Sequence, residues 1–425
     1  MSQRSSSCLW TSVPQVSPAP CDRYKHASCV CRGNVYLLGG RERHSLKDFW
    51  KYNVMCNVWI ELDCNDDKAP EELEEHSMVA RQGVLCVFGG LRGTAYSKSK
   101  IPLWLFDTAM EQWLHSQVKN SSSQNDAPSN RKGHSAVVFG SSMYVYGGYN
   151  DMQRTLQEFW AYDFDSGVWS LLSKGQVGPG PRHSHSVMVH QDSMYLYGGL
   201  QGLKEQRDLW RWNFLSQTWS SMRVFSGPSK LMGHSAVLYK DSMLLFGGGV
   251  TQSAPSNCLW GFSLTTLNWE KLFSLPGSTA PCRIHHCSVG LGPNFKPGPH
   301  TDIINKEIST SNSLIKLRPF KNKCVPSTLS TGQPREDIEL QTTQTWKKNG
   351  LRDNSLGFEG SETQGNSLTA VTQQDVRKKG NSENSAEETE DGLVKPMPNL
   401  LLILGGKPLK EHASISVWKM TWADN

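Results

Sequence analysis

Histidine recurs in this chain of 425 residues at a spacing that could serve catalysis or metal binding. Five histidines each stand 13 residues before the first glycine of a Gly-Gly pair, and they are His26, His76, His134, His185 and His234. Imidazole acts as a general base near neutral pH and is a common metal ligand. A regular row of histidines must therefore be explained either as a reactive site or as part of a structural repeat.

The densest group of possible metal ligands is the run Cys282-Arg-Ile-His285-His286-Cys287, with four candidate zinc ligands within six residues. His286 also belongs to the histidine row, because it follows an arginine by three residues as other members do. Neighbouring side chains of a strand point to opposite faces of its sheet. We therefore predict no metal site here, and we interpret Cys29 and Cys31 as two buried thiols.

The segments that carry the histidines repeat about every 50 residues. Each histidine opens a short apolar run, a tight turn follows, and a second apolar run ends in Gly-Gly. The six Gly-Gly pairs begin at Gly39, Gly89, Gly147, Gly198, Gly247 and Gly405. Two tryptophans nine residues apart follow each of the first five pairs, as Trp50/Trp59, Trp104/Trp113, Trp160/Trp169, Trp210/Trp219 and Trp260/Trp269. Short apolar runs separated by turn residues predict strands buried on both faces.

This pattern of histidine, Gly-Gly and spaced aromatic residues resembles the kelch repeat. The resemblance covers nearly the whole chain outside residues 293–398. It implies an all-β protein, a β-propeller with one four-stranded blade per repeat and six blades in total. The expected blades lie near residues 22–62, 73–116, 131–172, 182–222, 231–272, and 283–292 together with 399–422.

The sixth repeat lacks its second tryptophan, because the partner of Trp418 would fall beyond Asn425. Its blade would then lack a fourth strand. Residues 8–13, which contain Trp10, resemble a fourth strand of the other repeats. We expect residues 8–13 to pair with the strand around Val417 and so to close the propeller.

Residues 293–398 interrupt the sixth repeat. They contain 21 Ser or Thr, 14 Lys or Arg and 14 Asp or Glu, so the segment is polar and its net charge is zero. Such a composition cannot bury enough apolar surface to offset the entropy of ordering. We predict that residues 293–398 form a disordered insertion in the turn between the first two strands of the last blade.

Four arginines stand three residues before a repeat histidine, and they are Arg23, Arg131, Arg182 and Arg283. The propeller resemblance places the start of each first strand at the central channel, so these guanidinium groups would meet near one mouth of it. They could bind a carboxylate or a phosphate of a partner. Alternatively, they brace one blade against the next. The sequence leaves both roles open.

The loops that follow the Gly-Gly pairs should emerge at the same end of the propeller, because strand direction alternates within a blade. These loops are more basic than acidic and include Arg41, Arg92, Arg154 and Arg207. Variable loops on a rigid scaffold often carry binding specificity. We take these four arginines as further candidates for partner contacts.

Composition limits the classes of function. The net charge of +5 is too small for its length to predict a nucleic-acid partner. The first residues have no apolar signal core, and no apolar run is long enough to insert into a membrane. The 11 cysteines are odd in number and scattered. We expect a monomeric protein with reduced thiols in the cytoplasm, the nucleus or both.

No paired carboxylates and no nucleophile–base set stand apart from the repeat spacing. We therefore predict a protein that is not an enzyme, has no cofactor and acts as a scaffold for protein–protein interaction through its loop face. The alternative is a substrate receptor of a cullin–RING ubiquitin ligase. The family resemblance allows that role, but it would need a short docking motif within residues 293–398, because the chain has no room for a BTB domain or an F-box outside the propeller.

Overall fold

The computed structural model describes residues 7–91, 102–115, 127–173, 177–224, 226–295 and 398–423. Two compact units divide the chain, and every described residue belongs to the unit formed by 1–313 and 394–425. Residues 314–393 form the other unit and lie outside the described residues. No helix among the described residues is long and apolar enough to cross a membrane.

The described part is all-β apart from one short 3-10 helix at Pro293–Phe295. The strands of the first two repeats are β2 (Ala27–Cys31), β3 (Asn34–Arg41), β4 (Ser45–Asn53), β5 (Val58–Leu62), β6 (Ser77–Arg81), β7 (Val84–Phe88), β8 (Leu103–Asp107) and β9 (Gln112–Leu114). Those of the third and fourth are β10 (Ser135–Phe139), β11 (Ser142–Tyr146), β12 (Tyr149–Asn150), β13 (Arg154–Thr155), β14 (Phe159–Asp163), β15 (Val168–Ser173), β16 (Ser186–His190), β17 (Ser193–Tyr197), β18 (Leu200–Gln201), β19 (Lys204–Glu205), β20 (Leu209–Asn213) and β21 (Thr218–Met222). The remaining strands are β1 (Ser7–Ser12), β22 (Met232–Tyr239), β23 (Ser242–Gly249), β24 (Leu259–Ser263), β25 (Trp269–Ser274), β26 (Cys287–Leu291), β27 (Leu400–Leu404) and β28 (Val417–Trp422).

Each of the first four repeats forms a four-stranded antiparallel sheet in which strands adjacent in the chain are adjacent in space. The third and fourth repeats also carry small two-stranded hairpins, β12–β13 and β18–β19. The fifth and sixth repeats share one eight-stranded sheet in the order β22-β23-β24-β25-β1-β28-β27-β26. The sheets have a propeller-like arrangement, as the kelch resemblance implied.

Strand β1 joins the two halves of the eight-stranded sheet. It runs antiparallel to β28, where Trp10 lies opposite Met420, and its first residues run parallel to β25, where Ser7 lies opposite Phe273. In the third repeat the second tryptophan, Trp169, lies opposite Tyr162, which stands two residues after the first tryptophan, Trp160. Met420 is likewise two residues after Trp418, so Trp10 has the register of a second tryptophan.

Backbone hydrogen bonds link all six repeats near the axis. The residue before each repeat histidine donates its N–H to the backbone carbonyl of the residue at the same position of the previous repeat, at 2.7–3.0 Å. The six residues are Lys25, Glu75, Gly133, Ser184, Gly233 and His285, and the N–H of Lys25 completes the circle by bonding to the carbonyl of His285. All six have a left-handed backbone with φ between 55° and 62°.

The Gly-Gly pairs form a second set of links between repeats. The N–H of Gly148 donates to the carbonyl of Arg182 in the next repeat at 2.8 Å, and the equivalent bond recurs at every Gly-Gly pair. A Cβ on Gly147 would lie 2.5 Å from that same carbonyl oxygen. The first glycine is therefore required because the next repeat approaches its backbone too closely for any side chain.

The apolar core consists of six clusters, each lying between two neighbouring repeats. A second tryptophan packs against the side chain that precedes the previous Gly-Gly pair, with ring centroids 5.1 Å apart for Trp169 and Phe88 and 4.9 Å for Trp10 and Phe246. Each such ring removes about 150–250 Å² from water. The numerous tryptophans are thus explained by packing between repeats.

Most of the predicted insertion, residues 296–397, lies outside the described residues. Its first three residues belong to the folded part, because Pro293–Phe295 forms the 3-10 helix. The ring of Phe295 packs on that of Tyr239, with centroids 5.0 Å apart, and on the bare backbone of Gly290. The prediction of disorder is therefore wrong for Pro293–Phe295, which belong to the folded part.

Candidate partner-binding surface

The four arginines expected at a channel mouth are buried. Their exposed fractions are 1% for Arg23, 0% for Arg131, 1% for Arg182 and 7% for Arg283. A guanidinium group loses much of its hydration when it is buried, so it requires a compensating charge or hydrogen bonds nearby. The contacts of these four groups show what supplies them.

Arg182 forms a bidentate ion pair with Asp208. Its Nη1 and Nη2 atoms each lie 2.8 Å from one carboxylate oxygen, and Nη1 also donates to the carbonyl of Gly198 at 2.8 Å. The indole Nε1 of Trp210 donates to the same carboxylate at 2.7 Å. One carboxylate therefore joins Arg182, which precedes the first strand of the repeat, to Trp210 in its third strand.

The same unit occurs in the first and third repeats. Nη1 of Arg23 lies 2.6 Å from Asp48, which also accepts from Trp50 at 2.7 Å. In the third repeat, Nη2 of Arg131 lies 2.8 Å from an oxygen of Glu158, which accepts from Trp160 at 2.9 Å. The arginine–carboxylate–tryptophan unit is thus a recurring part of the scaffold.

The pKa shifts of Asp208 and Arg131 each include the effect of an oppositely charged side chain. Burial raises the pKa of Asp208, but the hydrogen bonds and the positive charge of Arg182 outweigh burial, so the pKa lies below its ordinary value. Burial lowers the pKa of Arg131, and Glu158 opposes this change. These geometries favour the bracing role that the sequence left open, because the chain itself already supplies a carboxylate to the guanidinium groups of Arg23, Arg131 and Arg182.

Arg283 differs from the other three. Its Nη2 atom donates to the hydroxyl of Ser416 at 2.7 Å, and Nη1 donates to the carbonyl of Cys282 at 3.1 Å. Burial lowers the pKa of Arg283, and the negative charge of Asp22 opposes this change. Arg283 is therefore also held by its own chain.

The sequence reasoning missed the three acidic partners, although a signal for them exists. Asp48, Glu158 and Asp208 each stand two residues before the first tryptophan of a repeat. The repeats in which leucine replaces the arginine have Pro102 and Cys258 at this position instead. A comparison of the two positions across the repeats would have paired each of these arginines with its acid.

The arginines of the loops have different surroundings. Arg41 lies 3.2 Å from Glu74, a buried carboxylate that also binds Lys132 at 3.1 Å. Arg154 and Arg207 are exposed, and neither is in an ion pair with another described residue. Arg92 lies outside the described residues.

A cavity of about 130 Å³ lies on the axis at the loop end of the sheets. It is lined by the repeat histidines and by the residues of the inner hydrogen-bonded circle. Lys25 and Glu75 form an ion pair at its wall. Burial raises the pKa of Glu75, but the charge and the hydrogen bond of Lys25, together with His285 and His183, outweigh burial, so the pKa lies below its ordinary value.

Serine–histidine contacts surround this axis. Nε2 of His134 lies 2.8 Å from Oγ of Ser77, and Nε2 of His185 lies 2.7 Å from Oγ of Ser135. Such pairs can activate a nucleophile. Here each pair joins two neighbouring repeats, and burial together with the charge of Arg131 lowers the pKa of His134 to about 3. The contacts therefore act as links between repeats.

The four candidate zinc ligands of the sixth repeat are directed to different surroundings. Cys282 is exposed, His285 lines the cavity, and Nε2 of His286 contacts Oγ of Ser235 at 2.8 Å. Sγ of Cys287 contacts the carbonyl of His26 at 3.1 Å. Within the described ranges, no three His, Cys, Asp or Glu side chains are grouped to hold a metal ion.

Sheets linked by Gly-Gly pairs, with the second tryptophans packed between them, define a repeat protein of the β-propeller class. The family model described as KLHDC2/KLHL20/DRC7 Kelch-repeats domain matches residues 4–124 and 99–295, which together exceed half of the chain. The chain therefore belongs to the kelch-repeat family, as the residue pattern indicated.

Relatives of known name agree with this assignment. Host cell factor 2 of Homo sapiens is 28% identical over 315 residues, which are 65% of this chain and 39% of that protein. Kelch domain-containing protein 3 of Rattus norvegicus is 28% identical over 217 residues, 47% of this chain and 54% of the relative. Kelch domain-containing protein 10 of Xenopus laevis is 28% identical over 205 residues, which are 46% of this chain and 48% of that protein. The matches thus span about half or less of these relatives.

Proposed function

We propose that this protein is a non-enzymatic scaffold that binds a peptide or a domain of another protein through its loop face. The observation that carries the proposal is a shared location. The described loops after the Gly-Gly pairs, the axial cavity and the exposed Arg154 and Arg207 lie at the end of the sheets where the first strands begin. Membership of the kelch-repeat family supports a role in protein–protein interaction.

We infer that the propeller has six blades, with the eight-stranded sheet counted as two and β1 as the fourth strand of the last. The two circles of backbone hydrogen bonds, each with six members, support this count. A closed ring makes a rigid base on which the loops hold fixed relative positions. Binding then requires little ordering of the scaffold, which favours affinity.

An affinity purification with matched variants tests the function. We expect Arg154→Glu combined with Arg207→Glu to lose the proteins that the full chain captures. Arg32→Glu combined with Lys240→Glu, at exposed positions in the turns of the opposite face, should retain them. Equal capture by both double variants, or loss only with the opposite-face variant, would exclude the loop face as the binding surface.

The alternative function is that of a substrate receptor in a cullin–RING ubiquitin ligase. We place a docking motif for the ligase within residues 293–398, of which 296–397 are outside the described residues. Purification with and without this segment tests the idea, because cullin subunits should copurify only when it is present. Absence of cullin subunits from both samples would leave the scaffold function alone.

We propose further that the protein acts as a monomer in the cytoplasm, the nucleus or both. The ten cysteines among the described residues are free thiols, which supports a reducing compartment. Size measurement by light scattering and microscopy of the tagged full chain test these two points.

A further inference from the structure

The two halves of the loop face differ at the axis. In the third, fourth and fifth repeats the inner circle has the small residues Gly133, Ser184 and Gly233. In the other three repeats the same position has a long or charged side chain, and these residues are His285, Lys25 and Glu75. The longer side chains at the axis therefore come from the other three repeats, and the Glu75 carboxylate and the His285 ring lie against Gly133 and Gly233.

The loops of the same three repeats expose large apolar side chains. Met152 and Leu203 stand at the tips of the hairpins β12–β13 and β18–β19, and their exposed fractions are 66% and 97%. Val250, in the loop of the fifth repeat, is 47% exposed. The loops 41–48 and 407–416 of the first and sixth repeats are fully described, and neither exposes a large apolar side chain to this degree.

Positive charge accompanies these apolar tips. Four exposed cations stand in or beside the three loops, and they are Arg154, Lys204, Arg207 and Lys230. Glu158 and Asp208 also stand there, but their carboxylates are bound by the buried Arg131 and Arg182. The other two acids of these loops are Asp151 and Glu205, so the four cations outnumber them by two.

The two hairpins are positioned by a contact between their bases. The rings of Tyr149 and His183 meet edge to face with centroids 5.8 Å apart. Tyr149 is the first residue of β12, and His183 pairs with Leu200, the first residue of β18. The apolar tips are therefore carried by two adjacent hairpins with fixed bases, a surface that can be covered along its length by one extended segment.

We propose that the third, fourth and fifth repeats bind an extended segment of a partner protein that combines apolar side chains with acidic ones. The apolar side chains cover Met152 and Leu203, and the acidic ones meet Arg154, Lys204 and Arg207. The surplus of cations selects acidic over basic segments, because like charges brought together in an interface oppose binding. This inference rests on the proposed loop-face function and names the half of the face and the chemistry of its ligand.

A displayed library of random 12-residue peptides, selected on the full chain, provides the probe. We expect enriched peptides to contain at least two large apolar residues and a net negative charge. Met152→Ser combined with Leu203→Ser should weaken the best peptides at least tenfold, which corresponds to about 1.4 kcal/mol. The control is Met110→Ser combined with Leu215→Ser, because these residues are 65% and 74% exposed in turns of the opposite face. It should leave binding unchanged.

Two results separate this inference from the broader function. If peptides lose binding with Arg41→Glu in the first repeat but keep it with Met152→Ser and Leu203→Ser, the half assigned here is wrong and the loop-face function stands. Enrichment of basic peptides would also overturn the assigned chemistry. A library that yields no peptide above background, or peptides lost only with the opposite-face control, would overturn both.

Discussion

Among single residues, the buried guanidinium groups make the strongest demand on their neighbours. The side chain of Arg182 is only 1% exposed, and Asp208→Cys would leave its buried positive charge without a carboxylate partner. Removal of one partner of a buried ion pair typically costs about 3–5 kcal/mol, and the partial exposure of Asp208 favours the lower end, about 3 kcal/mol. Denaturant unfolding measures this loss. Arg207→Gln, at an exposed position one residue away, should change stability by less than about 0.5 kcal/mol.

The fifth repeat suggests how this loss can be reversed. It has Leu231 and Cys258 at the positions of Arg182 and Asp208. Adding Arg182→Leu to Asp208→Cys removes the uncompensated charge, so the double variant should be more stable than Asp208→Cys alone. If the two changes instead destabilise additively, the pair is not coupled and the bracing role of Arg182 is wrong.

The buried histidines predict a loss of stability in weak acid. Burial lowers the pKa to about 3 for His76 and His286 and to about 4 for His234, and His134 and His285 are lowered to similar values. The unfolded chain takes up these protons below about pH 6.5, whereas the folded chain does not, so stability falls as pH falls from about 6.5 towards 3–4.

Within this window each such histidine lowers the free energy of unfolding by about 1.4 kcal/mol for each pH unit of acidification. Five histidines together lower it by about 7 kcal/mol per pH unit. Asp208, Glu74 and Glu75 have lowered pKa values, and their effect is also lost in acid, but only below about pH 4.5. Unfolding free energies between pH 7.5 and 5 therefore report the histidines. In His234→Gln, the slope of unfolding free energy against pH should be smaller by the equivalent of about one proton. An unfolding free energy that does not change with pH in this range would contradict the prediction.

At the scale of the strand and its turn, Gly147 and Gly140 form a matched pair. Both have a left-handed backbone, with φ of 65° and 59°. A Cβ on Gly147 would lie 2.5 Å from the carbonyl of Arg182, whereas nothing lies within 4 Å of one on Gly140. Gly140→Ala should therefore cost about 1–2 kcal/mol from the backbone alone. Gly147→Ala should cost clearly more, because it separates two repeats, and equal melting temperatures of the two variants would contradict this.

The strands were predictable because histidine, Gly-Gly and tryptophan keep constant spacings in the repeats. The partners of the inner arginines were harder to predict. Arg23 and Asp48 are 25 residues apart, whereas Arg131 and Glu158 are 27 apart. The loop between them varies in length, so no constant arginine–acid spacing exists. Only the distance from the acid to the following tryptophan is constant, and the exposure of loop tips such as Leu203 has no periodic signal at all.

At the scale of the whole molecule, β1 should matter more than the long segment inserted in the sixth repeat. Deletion of residues 1–13 removes Trp10, which is 5% exposed, and leaves the edges of β25 and β28 unpaired. The lost burial alone is worth roughly 4–6 kcal/mol, a large part of a typical net stability of about 5–15 kcal/mol. Unpaired edges also promote aggregation.

The comparison is with a deletion of residues 300–393, which keeps Phe295 on Tyr239 and all described strands. We expect this longer deletion to melt close to the full chain, and the shorter one to lower both the melting temperature and the soluble yield. Similar melting of the 1–13 deletion and the full chain would mean that β1 contributes little to holding the sheets together.

The pairing of β1 with β28 also has a consequence for biosynthesis. Cys8 lies opposite Trp422, and about 410 residues are translated between them. At a synthesis rate of about 5–20 residues per second, β1 leaves the ribosome roughly 20–80 s before its antiparallel partner exists. During that interval the nascent chain carries an unsatisfied strand and an incomplete circle of repeats. Molecular chaperones that shield such strands should therefore associate with this protein mainly during its translation.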